Sequence, residues 1–148
     1  MKVQKLLTTD LGTELSVSNE PFMLQSKLTL RLEGGVDAHW LFAENGAALA
    51  INPETEEMLF LRPVEKEIEH DDEVVVESGK DYEFSYEDRG FVEALGGEGV
   101  FDEGDELEFM DYEAGDGDRV RIVTNTYNGE ERVFVGNVVT EEDIVNGA

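Results

Sequence analysis

The chain has 148 residues, 40% of them hydrophobic, with 11 Lys and Arg against 36 Asp and Glu, a formal net charge of -25. This is enough apolar content for a core, in one ordinary domain or two small β modules, and too much for a disordered acidic tail. The charge opposes nucleic acid and anionic membrane surfaces, and the absence of cysteine excludes disulfides, thiolate nucleophiles and Cys-based zinc sites.

Read from the start, Met1 to Asp10 offers only Leu6 and Leu7 as an apolar run before Thr8, too short for a secretory signal. No stretch reaches the length of a membrane span, so no membrane insertion is expected. With the missing cysteines, this reads as a cytoplasmic protein.

Runs of β-branched and aromatic residues then recur at the spacing of an all-β domain. The pattern predicts strands over Glu14–Val17, Lys27–Leu32, Ala38–Ala43, Ala47–Ile51 and Met58–Leu61. A charged break follows, and then strands over Tyr82–Tyr86, Phe91–Leu95, Glu106–Tyr112, Arg119–Thr124 and Arg132–Val139. Gly34-Gly35, Asn45-Gly46 and Asn128-Gly129 supply the positive φ angles of tight turns. In the hairpin around Asn128-Gly129, Val120 and Ile122 alternate with Arg119, Arg121 and Val123, which predicts one buried face and one charged face. Tyr82, Phe84 and Tyr86 alternate along one face and read as core. Thr140 followed by Asp143 predicts a short C-terminal helix.

Features of the two halves repeat in order. Trp40-Leu41-Phe42-Ala43-Glu44 is echoed by Phe109-Met110-Asp111-Tyr112-Glu113, each before a Gly turn, and Glu57-Met58-Leu59-Phe60-Leu61 by Glu131-Arg132-Val133-Phe134-Val135. Gly12-Thr13-Glu14-Leu15 likewise matches Gly79-Lys80-Asp81-Tyr82. The order argues for duplication. The division is a first β half over 1–64, an acidic linker over 65–78 and a second β half over 79–148 with the short helix. The fold class is mostly antiparallel all-β, the halves packed as small barrels or as a sandwich.

Gly79-Lys80-Asp81-Tyr82-Glu83-Phe84, Arg89-Gly90-Phe91-Val92-Glu93, Gly97-Glu98-Gly99, Glu108-Phe109-Met110-Asp111-Tyr112 and Glu131-Arg132-Val133-Phe134-Val135-Gly136 stand in an order that resembles a bacterial family, domain of unknown function 4178. The resemblance implies a small β protein, at times fused to a second one or encoded near membrane-stress and polyamine-related proteins. It carries over no catalytic residue. The chain departs from it in its few basic residues and in the longer Thr124-Asn125-Thr126-Tyr127 segment.

Candidate chemistry is thin. His39 and His70 have no spacing that joins them in a metal site, and no Gly-x-Ser-x-Gly elbow supports a hydrolase triad. Gly97 and Gly99 lack the following helix and Lys of a phosphate cradle. Asp102, Asp105, Asp111 and Glu113, near Gly turns, are the candidate oxygen ligands for a hard cation, without EF-hand spacing. Asp102, Glu103, Asp105 and Glu106 are the candidate protein-contact residues. The expectation is a non-enzymatic binding or accessory domain meeting a basic protein surface, with no cofactor. The alternatives are a calcium or polyamine binder, an enzyme using loop carboxylates, or a subunit of a homo-oligomer.

Overall fold

The computed structural model describes residues 1–52, 54–65, 68 and 73–147. A short helix, α1 (Val3–Leu7), precedes β1 (Glu14–Val17), β2 (Glu20–Leu32), β3 (Asp37–Ala43), β4 (Ala48–Asn52) and β5 (Glu57–Val64). The second half holds β6 (Val74–Glu77), β7 (Lys80–Gly97), β8 (Glu106–Glu113), β9 (Arg119–Asn125) and β10 (Glu131–Val139). A single 3-10 turn (Glu141–Asp143) and β11 (Ile144–Asn146) close the chain.

Each half is an antiparallel meander, and neither closes by itself. β5 pairs with β10 and β2 pairs with β7, both antiparallel, so that β2-β3-β4-β5-β10-β9-β8-β7 runs round a closed barrel of eight strands. The fold is all-β, and its two halves share this one barrel. Closure removes four strand edges that would otherwise present unpaired N–H and C=O groups.

The two halves begin alike. A tight hairpin opens each, with positive φ at Ser18 and Asn19 in one and at Ser78 and Gly79 in the other. By position in the fold, Gly79 therefore matches Asn19 and not Gly12. The long strand that follows switches partner midway. Residues 20–23 of β2 pair with β1 and 26–32 with β7, while 80–83 of β7 pair with β6 and 90–97 with β2. A bulge marks each switch, at Gln25 and at Ser85, equally far from the hairpin turn. One extra residue reverses the side-chain parity. Phe22 and Leu24 thus face outward while Leu28 and Leu30 face the barrel interior.

Those switches build three layers. The interior is filled by Leu28, Leu30, Trp40, Phe42, Leu59, Val92, Phe109 and Phe134, among others. On the outside, α1, β1, the start of β2 and Ile144 cover Leu41, Leu49, Ile51, Met58 and Phe60. In the second half Val75, Tyr82 and Ile68 cover Tyr112, Val120, Ile122 and Val133. Strands buried on both faces need apolar side chains at every position, hence the unbroken Ala48-Leu49-Ala50-Ile51 and Met58-Leu59-Phe60-Leu61.

Several expectations change. Val74–Glu77, assigned to the acidic linker, forms β6 and pairs with β7. The strands expected over Tyr82–Tyr86 and Phe91–Leu95 are one strand, because residues 83–91 pair continuously with β8 apart from the bulge. That bulge also separates the aromatic row. Tyr82 is buried and Phe84 stacks edge-on with Tyr112 on the outside, while Tyr86 turns to the barrel mouth against Phe109. The C-terminal helix stops after one capped turn at Thr140–Asp143, since Ile144–Asn146 pairs with β1 instead. The N-terminal amine donates to the carbonyls of Glu141 and Ile144, the latter at 2.7 Å, so the end of the second half is tied to the first.

The seams leave no room for a side chain at some positions. At Gly136 an added Cβ would overlap the Phe60 carbonyl, whereas at Gly115 it would meet nothing within 4 Å. Gly136→Ala is therefore expected to lower unfolding free energy by about 1–3 kcal/mol in chemical denaturation, and Gly115→Ala to leave the midpoint nearly unchanged.

Candidate functional site

A closed barrel has two mouths, and here they differ in chemistry. At one mouth a groove of about 1000 Å³ lies between the β3–β4 turn, the end of β5, the start of β10 and the segment that follows β7. Phe42 and Phe134 reach it from the barrel interior, Val64, Ile68 and Val133 from beside it, and half-exposed Val100 from the segment after β7. Glu44, Glu65, Glu98 and Glu131 stand exposed around this apolar floor. Arg132, the cation among its described lining residues, lies 3.6 Å from Glu130.

The groove's geometry comes from local rules. In the β3–β4 turn Asn45 Oδ1 accepts the Ala47 N–H at 3.0 Å and Gly46 has φ +88°, which projects Glu44 and Asn45 over the mouth. The segment after β7 is held by Phe101, which enters the barrel and packs against Trp40 and Phe42 with ring centroids 6.2 and 6.1 Å away. Its acidic residues keep its shape. The Asp105 carboxylate accepts the Asp102 N–H at 2.9 Å, Glu103 accepts the Leu95 N–H at 3.3 Å, and Glu106 accepts the Thr126 hydroxyl at 2.7 Å.

The opposite mouth holds a cavity of about 470 Å³ lined by Trp40, Tyr86, Phe109, Asp111, Arg119 and Arg121, among others. Arg121 and Asp111 face each other across β9 and β8 as a bidentate pair at 2.7 and 2.8 Å, their side chains 9% and 4% exposed. The Arg121 guanidinium lies 4.5 Å from the Phe109 ring centre and 5.6 Å from that of Trp40. Burial, with a hydrogen bond to Asp88 behind it, pushes the Tyr86 phenol up to about 12.

Alternation along β9 predicts Arg119 and Arg121 on the charged, solvated face of their hairpin. They point into the barrel, and the apolar Val120 and Ile122 lie outside, because the second half's own hairpin covers that outer face. Alternation identified two faces of β9 and could not say which of them met water. Nothing in the local pattern singles out the apolar groove floor, which is assembled from both halves.

The candidate cation ligands do not converge. Asp102 and Asp105 belong to the segment after β7, whereas Asp111 is taken up by Arg121 and Glu113 lies 3.6 Å from Arg119 at the mouth opposite the groove. Asp116 and Asp118 hold Lys80 at 2.6 and 2.7 Å, which depresses the Asp116 carboxyl and raises the Lys80 amine. Among the described residues no group of three or more His, Asp or Glu is arranged to hold a metal ion. His70 lies outside the described residues. His39 Nδ1 is 3.2 Å from the Thr29 hydroxyl on the neighbouring strand. Comparison with protein-family models, curated proteins and solved structures returned no match for the chain.

Two measurements follow from this geometry. Removing one partner of a buried ion pair strands the other, so Asp111→Ala is expected to lose about 3–5 kcal/mol of stability. The double variant Asp111→Leu/Arg121→Met should recover most of that loss. Burial lowers the His39 imidazole below 6.5, outweighing the opposing pull of Asp37. Its protonation opposes folding, so its contribution to stability is present above pH 6.5 and lost as pH falls through the folded value. The His39 ring proton should titrate with a midpoint below 6.5 by NMR.

Proposed function

We propose that this chain is a non-enzymatic binding module whose groove takes a basic, apolar-anchored segment of a partner protein. One observation carries the reading: the groove of about 1000 Å³ sets an apolar floor of Phe42, Val133 and Phe134 inside a rim of Glu44, Glu65, Glu98 and Glu131. An apolar side chain from a partner would fill the floor while flanking Lys or Arg meets the rim, a division of labour common to protein interfaces. Asp102 and Glu103, exposed on the same segment as Glu98, add to the local negative field. The net charge of -25 would steer a cationic partner over longer range and make association salt-sensitive.

The barrel supports an aqueous setting for that encounter. Its interior is aliphatic and aromatic apart from Asp111, Arg119 and Arg121 at one mouth, while the outer surface carries the exposed ion pairs of Arg31 with Glu93 across the β2–β7 seam and of Arg89 with Glu108 across β7 and β8. A transmembrane barrel has the reverse arrangement. Among the described residues no helix is long and apolar enough to cross a membrane. The cysteine-free composition accords with a cytoplasmic location.

The test is a titration with an alternating Lys/Leu peptide and with its Glu/Leu counterpart, followed by amide NMR. The cationic peptide should bind saturably, shift Val100 and Phe134, and weaken as salt is raised from about 0.05 to 0.5 M. The triple variant Glu44→Gln/Glu98→Gln/Glu131→Gln should bind at least tenfold more weakly. Equal binding of the anionic peptide, or affinity unmoved by salt, would show the reading to be wrong.

A further inference from the structure

The cavity at the ion-pair mouth contains an unusual guanidinium. The Arg119 side chain is only 15% exposed, and its Nε is sealed from solvent without a hydrogen-bond partner. Its nearest carboxylates, Glu57 at 3.7 Å and Glu113 at 3.6 Å, stand beyond hydrogen-bond reach. The Arg119 guanidinium donates no hydrogen bond to any described residue, although it carries five N–H donors. Arg121 alongside donates two hydrogen bonds to Asp111. The exposed remainder of the guanidinium lines the cavity, where an incoming acceptor can reach it.

We propose that this cavity is a second binding site, for a small uncharged planar molecule with a carbonyl or amide oxygen directed at Arg119. Three features select that class. The cavity, about 470 Å³, has the size of a small-molecule site. Trp40 and Tyr86 line it, so a flat apolar body has aromatic surfaces to rest on. The charges nearly cancel, since Arg119 and Arg121 face Asp111, Glu57 and Glu113. An anion meets the carboxylates and the net charge of the chain, and a cation meets two guanidiniums, whereas a neutral acceptor meets neither repulsion.

Trp40 is the only tryptophan in the chain, so its fluorescence reports on this mouth. The test titrates the intact protein with benzamide, benzoate and benzylammonium, which share a ring and differ in charge. Trp40 emission and the Arg119 Nε–H resonance are both followed. Benzamide should give saturable changes in both signals, with a dissociation constant in the millimolar range. The two charged analogues should bind at least tenfold more weakly, and Arg119→Met should bind benzamide at least tenfold more weakly. No saturable response to benzamide, a charged analogue binding equally well, or an unchanged affinity in folded Arg119→Met would each overturn the proposal. If that variant does not fold, the Nε–H titration of the unaltered protein decides. The Lys/Leu peptide engages the opposite mouth, so either result leaves the groove reading to its own test.

Discussion

Backbone hydrogen bonding at the two seams between the halves governs this molecule. Each half is a meander of four barrel strands with two open edges, and an open edge in water is both a lost set of hydrogen bonds and a template for aggregation. Pairing β5 with β10 and β2 with β7 satisfies both edges of both halves at once. The arrangement demands that backbones approach closely where the seams bend. At Gly90 an added Cβ would overlap the Arg31 carbonyl, as at Gly136 it would overlap that of Phe60. Gly97, where an added Cβ would overlap the Gln25 carbonyl, is a second such position on the β2–β7 seam.

The bulges at Gln25 and Ser85 are the complementary device. Each lets one long strand serve two layers, first as part of a hairpin over the outside and then as a barrel stave. Residues 48–51 of β4 and 58–61 of β5 consequently lose their contact with water on both faces, whereas β7 keeps an exposed outer face. Among the described residues Asp111 is the one buried carboxylate, and it is paired with Arg121. Trp40 with Ala50 and Asp111 with Arg121 are cross-strand pairs at matching distances from their turns, so one half packs a ring where the other packs charge.

Closing β2 on β7 and β5 on β10 sets corresponding ends of the two halves at opposite mouths, so the differences between the halves become differences between the mouths. One is apolar with an acidic rim; the other is aromatic with two guanidiniums among three carboxylates. Both are framed by the ends of the closed barrel's strands.

Much of the secondary structure was legible in the sequence, because period-two alternation and Gly turns are local properties. The β3–β4 turn and the Ala114–Asp118 turn show it: each has a positive-φ Gly and an Asn or Asp accepting the N–H two residues on, at 3.0 and 3.1 Å. Composition by itself determined the acidity and the lack of thiol chemistry. What only the tertiary structure decided is which face of each strand meets water. In β9 the pattern of Arg119, Arg121 and Val123 against Val120 and Ile122 is the same whichever side is covered. The cover comes from β6 and the start of β7, more than thirty residues upstream by the register of the fold. Both mouths have the same origin. They join residues that are distant in the chain and adjacent only once the seams close, and a single extra residue at each bulge decides which side chains face them.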